Sequence, residues 1–182
     1  MFYAIAYKEA GAEQAGRGAV RYRDCPTIEV AERISCDAGT AWALVTDIEL
    51  PVRCSPELEA VHWEGDADRV ALGARFRGHS RHPALGAWET VCEVVEVEPE
   101  RRWVWNVVGP DGISATWGFE IDSAREGVIV RQWARMGPAP SGLVVAITAT
   151  PQLEGRIVAR RLEEWSAGMR ANLAEIQARV QQ

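Results

Sequence analysis

The 182-residue sequence predicts an α+β fold in which a curved antiparallel sheet packs against one long C-terminal helix. Between residues 74 and 136, short turns separate consecutive segments of alternating polarity, which is typical of an antiparallel meander. From Gln152 onward, apolar residues recur in steps of three and four as far as Val180, which traces one stripe along a helix. The sheet is the large apolar surface that can cover this stripe.

The first part of the chain looks separate from the rest. "MFYAIAY" has the pattern of a short strand, and the following "EAGAEQAGRGA" is rich in small and polar residues. We therefore interpret residues 1–25 as an N-terminal extension that is either flexible or an extra edge strand. The main domain is expected over residues 26–182.

The next segments predict a strand, a helix and a second strand. "TIEVAERIS" alternates in polarity and indicates a strand. Asp37 is placed to cap a helix that runs to about Val45. "ELPVRCSPE" has a proline near each end and predicts a short connector, after which "ELEAVHWEG" predicts the second strand.

Five further strands are predicted before the C-terminal helix. They are Ala74–His82, Gly86–Glu98, "RRWVWNVV", "ISATWGFEID" and "VIVRQWARM". Pro99 with Glu100, and the glycines at 109 and 112, mark tight turns between them. After the loop "GPAPSG", the stretch "LVVAITATP" predicts a helical turn or two.

Alternation along these strands assigns one face of the sheet to the interior. In the last strand the assignment is ambiguous, because Trp133 favours the face opposite to Val130 and Gln132. The predicted inner residues combine large aromatics with small polar groups: Phe76, Ser80, Trp88, Thr90, Cys92, Trp103, Trp105, Trp117, Phe119 and Gln132. Alternation alone leaves two interpretations open, an apolar pocket or a solid core.

Composition argues against several classes of function. The net charge of −6 disfavours a nucleic-acid surface, which needs a basic stripe. No apolar run approaches the about 20 residues of a transmembrane helix, so no integral membrane association is predicted. The N-terminus lacks the pattern of a signal peptide. The four cysteines show no C-x-x-C pairing, which predicts reduced thiols in a cytoplasmic protein and no metal or other cofactor.

Candidates for catalysis are few. His62 is a weak candidate for an acid-base group, since its face of the sheet is uncertain, whereas His79 alternates with arginines and His82 precedes a proline at a strand end. Cys92 is a nucleophile or, more simply, a buried thiol. An outward row of arginines on the same strand as His79 either pairs with Glu89 and Glu93 on its neighbour or anchors an acidic partner.

Several stretches resemble the SRPBCC/START-like helix-grip superfamily, which includes the polyketide cyclase/dehydrase and Bet v 1-related proteins. They are "ISCDAGTAWALVTDIELPVRCSPELEAVHW", "LGARFRGHSRHPALGAWETVCEVVEVEPERRWVWNV", "GPAPSGL" and "RRLEEWSAGMRANLAEIQ". The resemblance covers about residues 26 to 181 and is especially close to actinobacterial members. It implies about seven strands that grip the C-terminal helix around a ligand cavity.

The resemblance adds helix residues to the expected cavity. The full expected lining is Trp42, Phe76, Ser80, Trp88, Thr90, Cys92, Trp103, Trp105, Trp117, Phe119, Gln132, Leu143, Leu162, Trp165 and Met169.

Three functions remain open at this point. The first is the binding of a small hydrophobic or aromatic, lipid- or polyketide-like molecule in an enclosed cavity. The second is an enzyme of the polyketide cyclase, aromatase or dehydratase type that uses the same cavity, with His62 or a bound water for proton transfer. The third is an interaction module without catalysis. The sequence leaves open whether the protein is a monomer or a homodimer.

Overall fold

The computed structural model describes residues 20–82 and 86–181. It contains seven strands, three α-helices and three short 3₁₀ turns in this described part. The strands are β1 (Thr27–Ile34), β2 (Leu58–Trp63), β3 (Arg75–His82), β4 (Gly86–Glu98), β5 (Arg102–Gly109), β6 (Gly112–Ser123) and β7 (Val128–Met136). The helices are α1 (Ala38–Val45), α2 (Gly142–Ala149) and α3 (Glu154–Val180), and the 3₁₀ turns are Tyr22–Asp24, Leu50–Arg53 and Pro151–Leu153.

The strands form one curled antiparallel sheet in the order β1-β7-β6-β5-β4-β3-β2. Strands β2 to β7 follow one another as a meander, and β1 pairs with β7 at the far edge. Helix α3 is 27 residues long and contacts β1 and β7 as well as α1 and α2. The predicted α+β class and helix-grip arrangement are therefore confirmed.

The apolar interior has two parts. One cluster joins the inner face of the sheet to α1 and to the C-terminal half of α3, where Leu173 and Ile176 are fully buried. The other joins α2 to the N-terminal half of α3 around Ile157 and Val158. The stripe predicted on α3 thus packs into the interior toward both of its ends, and residues of the sheet, α2 and α3 line the pocket described below.

Helix α1 begins as the sequence predicts. The carboxylate of Asp37 accepts the Thr40 backbone N–H at 2.8 Å and the Thr40 hydroxyl at 3.0 Å. This cap satisfies one of the N–H groups that a helix start leaves without a partner. The cap stabilises the first turn of α1, whereas its last turn contacts β5 through the hydrogen bond from Trp103 to Val45.

The ambiguity in β7 resolves in favour of the set that includes Val130 and Gln132, which are buried on the inner face. Trp133 lies on the outer face, where its indole Nε1 donates to Glu120 at 3.1 Å. Gly118 on the neighbouring strand has no side chain, and the Trp133 ring fills that space. A large aromatic is therefore accommodated outside the sheet without a change of register.

The arginines of β3 form ion pairs on the outer face. Arg77 contacts Glu64 on one side and Glu89 on the other, with its Nη1 2.9 Å from Glu89 Oε2. Arg81 Nε lies 2.9 Å from Glu59 Oε1. The prediction of cross-strand pairing is confirmed for Glu89. The other carboxylates in these pairs are Glu59 on β2 and Glu64 just after it, where the sequence had predicted Glu93.

Most of the predicted N-terminal extension lies outside the described residues. Of its last part, Tyr22 is buried, and its hydroxyl donates to the Ala139 carbonyl oxygen at 2.8 Å. The Tyr22 backbone N–H donates to Glu154 Oε1 at 3.1 Å. The chain from residue 20 onward therefore packs against the loop before α2 and the start of α3. Within the described residues, no helix combines the length and apolarity needed to cross a membrane.

Candidate functional site

A pocket of about 930 Å³ lies between the inner face of the sheet and helix α3, and it is partly open to solvent. The connector before β2 and the first residues of α2 complete its walls. Most of the expected lining meets here: Phe76, Ser80, Trp88, Thr90, Cys92, Trp103, Trp105, Trp117, Phe119, Gln132, Leu143 and Trp165. The pocket therefore brings together one residue set from β3 to β7 and another from α2 and α3.

Three expected residues lie away from the pocket. Trp42, on α1, packs against the core cluster that joins α1 to the sheet. Leu162, on α3, packs against the cluster formed by α2 and α3. Met169 is fully buried on α3. On this helix the pocket instead contacts Arg161, Trp165 and Asn172, whose spacings of four and seven place them on one side of the helix.

An aromatic wall runs from β5 across β6 to α3. Trp105 stacks on Trp103 with ring centroids 4.3 Å apart and faces Trp117 at 6.3 Å. Trp117 in turn contacts Trp165 with centroids 4.8 Å apart. Trp103 is buried, whereas Trp105, Trp117 and Trp165 keep part of their surface exposed. The wall therefore presents indole surface to the pocket.

Three polar side chains at the pocket, from the connector before β2, from α3 and from β7, are joined by hydrogen bonds. Asn172 Nδ2 donates to Gln132 Oε1 at 3.0 Å, and the Cys54 thiol donates to Asn172 Oδ1 at 3.1 Å. Gln132 and Asn172 both line the pocket and are buried. Sequence reasoning missed Asn172, although its position seven residues after Trp165 places it on the same side of α3.

An ion pair between Arg161 and Glu57 lies at the pocket, and neither residue was predicted there from the sequence. Arg161 Nη1 lies 3.1 and 3.2 Å from the two Glu57 oxygens, and Nη2 lies 3.2 Å from one of them. Nη1 also donates to Glu164 at 2.9 Å. Only 22% of the Arg161 side chain and 20% of that of Glu57 are exposed.

Charge pairing keeps Arg161 protonated. Burial disfavours its charged form, but hydrogen bonds and charge attraction from Glu57 and Glu164 outweigh burial, so the pKa of Arg161 is raised above its ordinary value. The guanidinium also lies over the Trp165 ring, 6.0 Å from its centroid. This end of the pocket therefore carries a fixed positive group that two carboxylates already contact.

Cys92 lines the pocket as a neutral thiol. Burial raises its pKa to about 12, although the nearby Thr90 hydroxyl acts in the opposite direction. A reactive cysteine needs a lowered pKa and a partly exposed position. The geometry is that of a buried thiol and not of a nucleophile.

The three histidines lie outside this pocket. His62 is exposed on the outer face of the sheet and stacks on His79, with ring centroids 5.1 Å apart. His79 Nδ1 lies 3.2 Å from Glu89 Oε1. His82 ends β3. None of the three is among the pocket residues of the described chain, so the structure does not bring the weak catalytic candidate His62 to the site.

Comparison with known sequences identifies the family. The profile described as "Polyketide cyclase / dehydrase and lipid transport" matches residues 26–181, which is most of the chain. The chain belongs to this family. No curated protein matches it.

Solved structures similar to this family member have the same fold. The Polyketide_cyc-like protein Cgl2372 from Corynebacterium glutamicum is 25% identical, with a TM-score of 0.58 over 84% of this chain and 90% of its own. The protein Ms6760 from Mycobacterium smegmatis is 13% identical, with a TM-score of 0.53 over 87% and 93%.

A third similar structure is a two-domain protein. The di-domain aromatase/cyclase StfQ from the steffimycin biosynthetic pathway is 19% identical, with a TM-score of 0.63. The alignment covers 84% of this chain and 49% of StfQ. At this identity the likeness to StfQ concerns the fold, and the chemistry of this family member has to be argued from its own side chains.

Proposed function

We propose that the protein binds a small hydrophobic or aromatic molecule, lipid- or polyketide-like, in the pocket between the sheet and α3. The observation that carries this proposal is the partly exposed indole surface of Trp105, Trp117 and Trp165 inside the pocket. Apolar surface in contact with water is unfavourable by about 25 cal/mol per Å². A flat apolar molecule that covers these rings removes that cost.

The size and polarity of the pocket support the same class of ligand. Its volume of about 930 Å³ lies near the upper end of the roughly 300–1,000 Å³ typical of small-molecule sites. Most of its lining residues are apolar, and its polar groups include the Arg161–Glu57 pair, the amides of Gln132 and Asn172, and the hydroxyls of Ser80 and Thr90. Such a lining favours an apolar body with few polar substituents.

Titration with a purely hydrocarbon probe tests this proposal. We expect 2-isopropenylnaphthalene to quench the tryptophan fluorescence of the full chain with a Kd on the order of micromolar, as for a good small ligand. Trp117→Ala and Trp165→Ala should each weaken binding by at least about fivefold, since they remove stacking surface.

Trp133→Ala is the matched control, because Trp133 lies on the outer face of the same sheet. It should leave the Kd within about twofold of wild type. Absence of saturable binding by the wild-type protein, or equal loss in all three variants, would contradict the proposal. If the probe binds as expected, native mass spectrometry of protein purified from its own host can identify the natural ligand as a co-purifying mass.

A cyclase, aromatase or dehydratase activity is the second candidate, and Arg161 is the observation that favours it. A guanidinium at the pocket can stabilise the enolate oxygen that forms when a poly-β-ketone is deprotonated. The carboxylate of Glu57, which accepts hydrogen bonds from Arg161, is a candidate proton acceptor at the pocket. Conversion of a linear poly-β-ketone thioester, followed by mass spectrometry and abolished in Arg161→Gln, would establish this activity.

A further inference from the structure

The buried amide of Gln132 carries information about the ligand. We propose that Gln132 presents its Nε2 donor to the pocket, and that the ligand carries a hydrogen-bond acceptor, a carbonyl or ether oxygen, which meets it. This inference rests on the proposed function, since it concerns the same pocket. It narrows the ligand class from any apolar molecule to one with an oxygen acceptor at a defined end.

The orientation of the Gln132 amide follows from its neighbours. The Cys54 thiol donates to Asn172 Oδ1, so the Asn172 amide directs its Nδ2 toward Gln132. Nδ2 then donates to Gln132 Oε1 at 3.0 Å. Because the oxygen of Gln132 is engaged in this way, its Nε2 group is the end that is left for another partner.

In the part of the chain that the structure describes, no protein acceptor is found for that nitrogen. Its cross-strand neighbours are Val30 on β1 and Phe119 on β6, which are both apolar. Among the described residues, no hydrogen bond from Nε2 is found, and this nitrogen is not one of the fully buried unpartnered atoms, so it keeps some surface at the pocket that Gln132 lines. An acceptor that enters the pocket can therefore hydrogen-bond to this donor without rearrangement of the protein.

The position of Gln132 relative to the aromatic wall sets the geometry of the ligand. Gln132 lies in the cross-strand row of Phe119 and Trp103, next to the row of Trp117 and Trp105. Residues in adjacent rows of one face are about 7–8 Å apart. A ring system stacked on the Trp105–Trp117 wall therefore places a substituent on its edge within reach of Gln132.

A pair of isosteric probes tests this inference. 2-Acetylnaphthalene and 2-isopropenylnaphthalene have the same shape and no charge, and they differ in C=O against C=CH₂. The measured quantity is the ratio of the Kd of the alkene to the Kd of the ketone. We expect this ratio to be about two- to tenfold higher in wild type than in Gln132→Met, the range that one hydrogen bond provides.

Gln177→Met is the control variant. It makes the same side-chain change on α3 at a residue outside the pocket lining, so the ratio should stay as in wild type. A ratio that is equal in wild type and Gln132→Met, while both probes bind, overturns this inference and leaves the proposed function intact. If neither probe binds wild type, the proposed function itself fails and the inference with it.

A measurement on the wild-type protein avoids dependence on the folding of a variant. The side-chain amide of Gln132 gives a pair of ¹⁵N–¹H signals. We expect one amide proton to move downfield on addition of 2-acetylnaphthalene and to move by less with 2-isopropenylnaphthalene. Equal shifts with both probes would place the ketone oxygen away from Gln132 and overturn the inference.

Discussion

Trp103 and Trp105 lie on the same face of β5 with ring centroids 4.3 Å apart, yet they occupy different environments. Trp103 is 2% exposed, and its indole Nε1 donates to the Val45 carbonyl oxygen at the end of α1 at 3.1 Å. Trp105 is partly exposed and faces Trp117. The two-residue step along β5 therefore crosses the boundary between the packed core and the pocket.

Because of this boundary, we expect removal of the two rings to have different effects on the free energy of unfolding and on ligand binding. Trp103→Ala should lower the free energy of unfolding by about 3–5 kcal/mol, as expected for a fully packed aromatic. Trp105→Ala should cost less stability and weaken 2-isopropenylnaphthalene binding by at least about fivefold, because its ring borders open space. Urea denaturation and fluorescence titration of both variants give the two quantities. A loss of about 3–5 kcal/mol for Trp105→Ala as well would indicate a solid core at this position.

The Arg161–Glu57 pair predicts a strong energetic coupling across the pocket. Arg161→Gln and Glu57→Gln should each lower the free energy of unfolding by about 1–3 kcal/mol, since each leaves a partly buried charge without its partner. The double variant should be less destabilised than the sum of the two. Urea denaturation of the four proteins provides the coupling energy as a double-mutant cycle.

The control for this cycle is the pair Arg179–Glu175 on the same helix. Arg179 Nε lies 2.8 Å from Glu175 Oε1, and the two groups are four residues apart and partly exposed. Their coupling should be about 0.3–0.5 kcal/mol, as for other helical surface pairs. An equal coupling energy in the two cycles would show that burial at the pocket adds nothing to the Arg161–Glu57 interaction.

The raised pKa of Cys92 predicts a loss of stability at alkaline pH. Well below pH 9, the ordinary pKa of a thiol, Cys92 is protonated in both folded and unfolded chains, and its full contribution to stability is present. Between pH 9 and about 12, the unfolded chain releases this proton while the folded protein retains it. Stability therefore decreases with rising pH, by up to about 1.4 kcal/mol per pH unit from this group.

Cys92→Ala isolates this contribution. The variant should be less stable than wild type at pH 8, because it loses buried volume. The difference should narrow by about 1 kcal/mol between pH 9 and pH 10, since only wild type carries the titrating thiol. Urea denaturation under reducing conditions measures this. A constant difference across that range would mean that the Cys92 thiol ionises as readily in the folded protein as in the unfolded chain.

Much of the sheet was predictable because strand periodicity is local. The bounds of Gly86–Glu98 agree with the structure, and alternation assigned the inner faces of β3 to β6 but left that of β7 ambiguous. The helix stripe was also predictable, but which part of it stays uncovered depends on how α1 and α2 pack. For this reason Leu162 and Met169 were expected at the pocket and lie elsewhere.

The polar part of the site was not predictable in the same way. Glu57 and Arg161 are 104 residues apart, and Cys54 and Asn172 are 118 apart. Each pair forms only because the connector before β2 lies against α3, which is a tertiary contact and leaves no local pattern in the sequence. Whether His62 is near the pocket likewise depends on which face of β2 it occupies. The sequence of a short strand with a register shift does not reveal that face.

The contact between Gly118 and Trp133 gives a final prediction. A Cβ atom at residue 118 would lie 2.7 Å from the Trp133 ring, which is closer than side-chain carbons approach. Gly118→Ala should therefore displace the indole from Glu120 and lower the free energy of unfolding by about 1–3 kcal/mol, as for other overpacked sites.

Gly142→Ala is the control variant. A Cβ atom at this position, at the start of α2, would meet no atom within 4 Å. The change should therefore leave the free energy of unfolding unchanged or raise it slightly. Thermal and urea denaturation compare the two variants. Equal stabilities would show that the Trp133 ring moves aside freely, in which case the outer-face position of this tryptophan does not depend on the glycine.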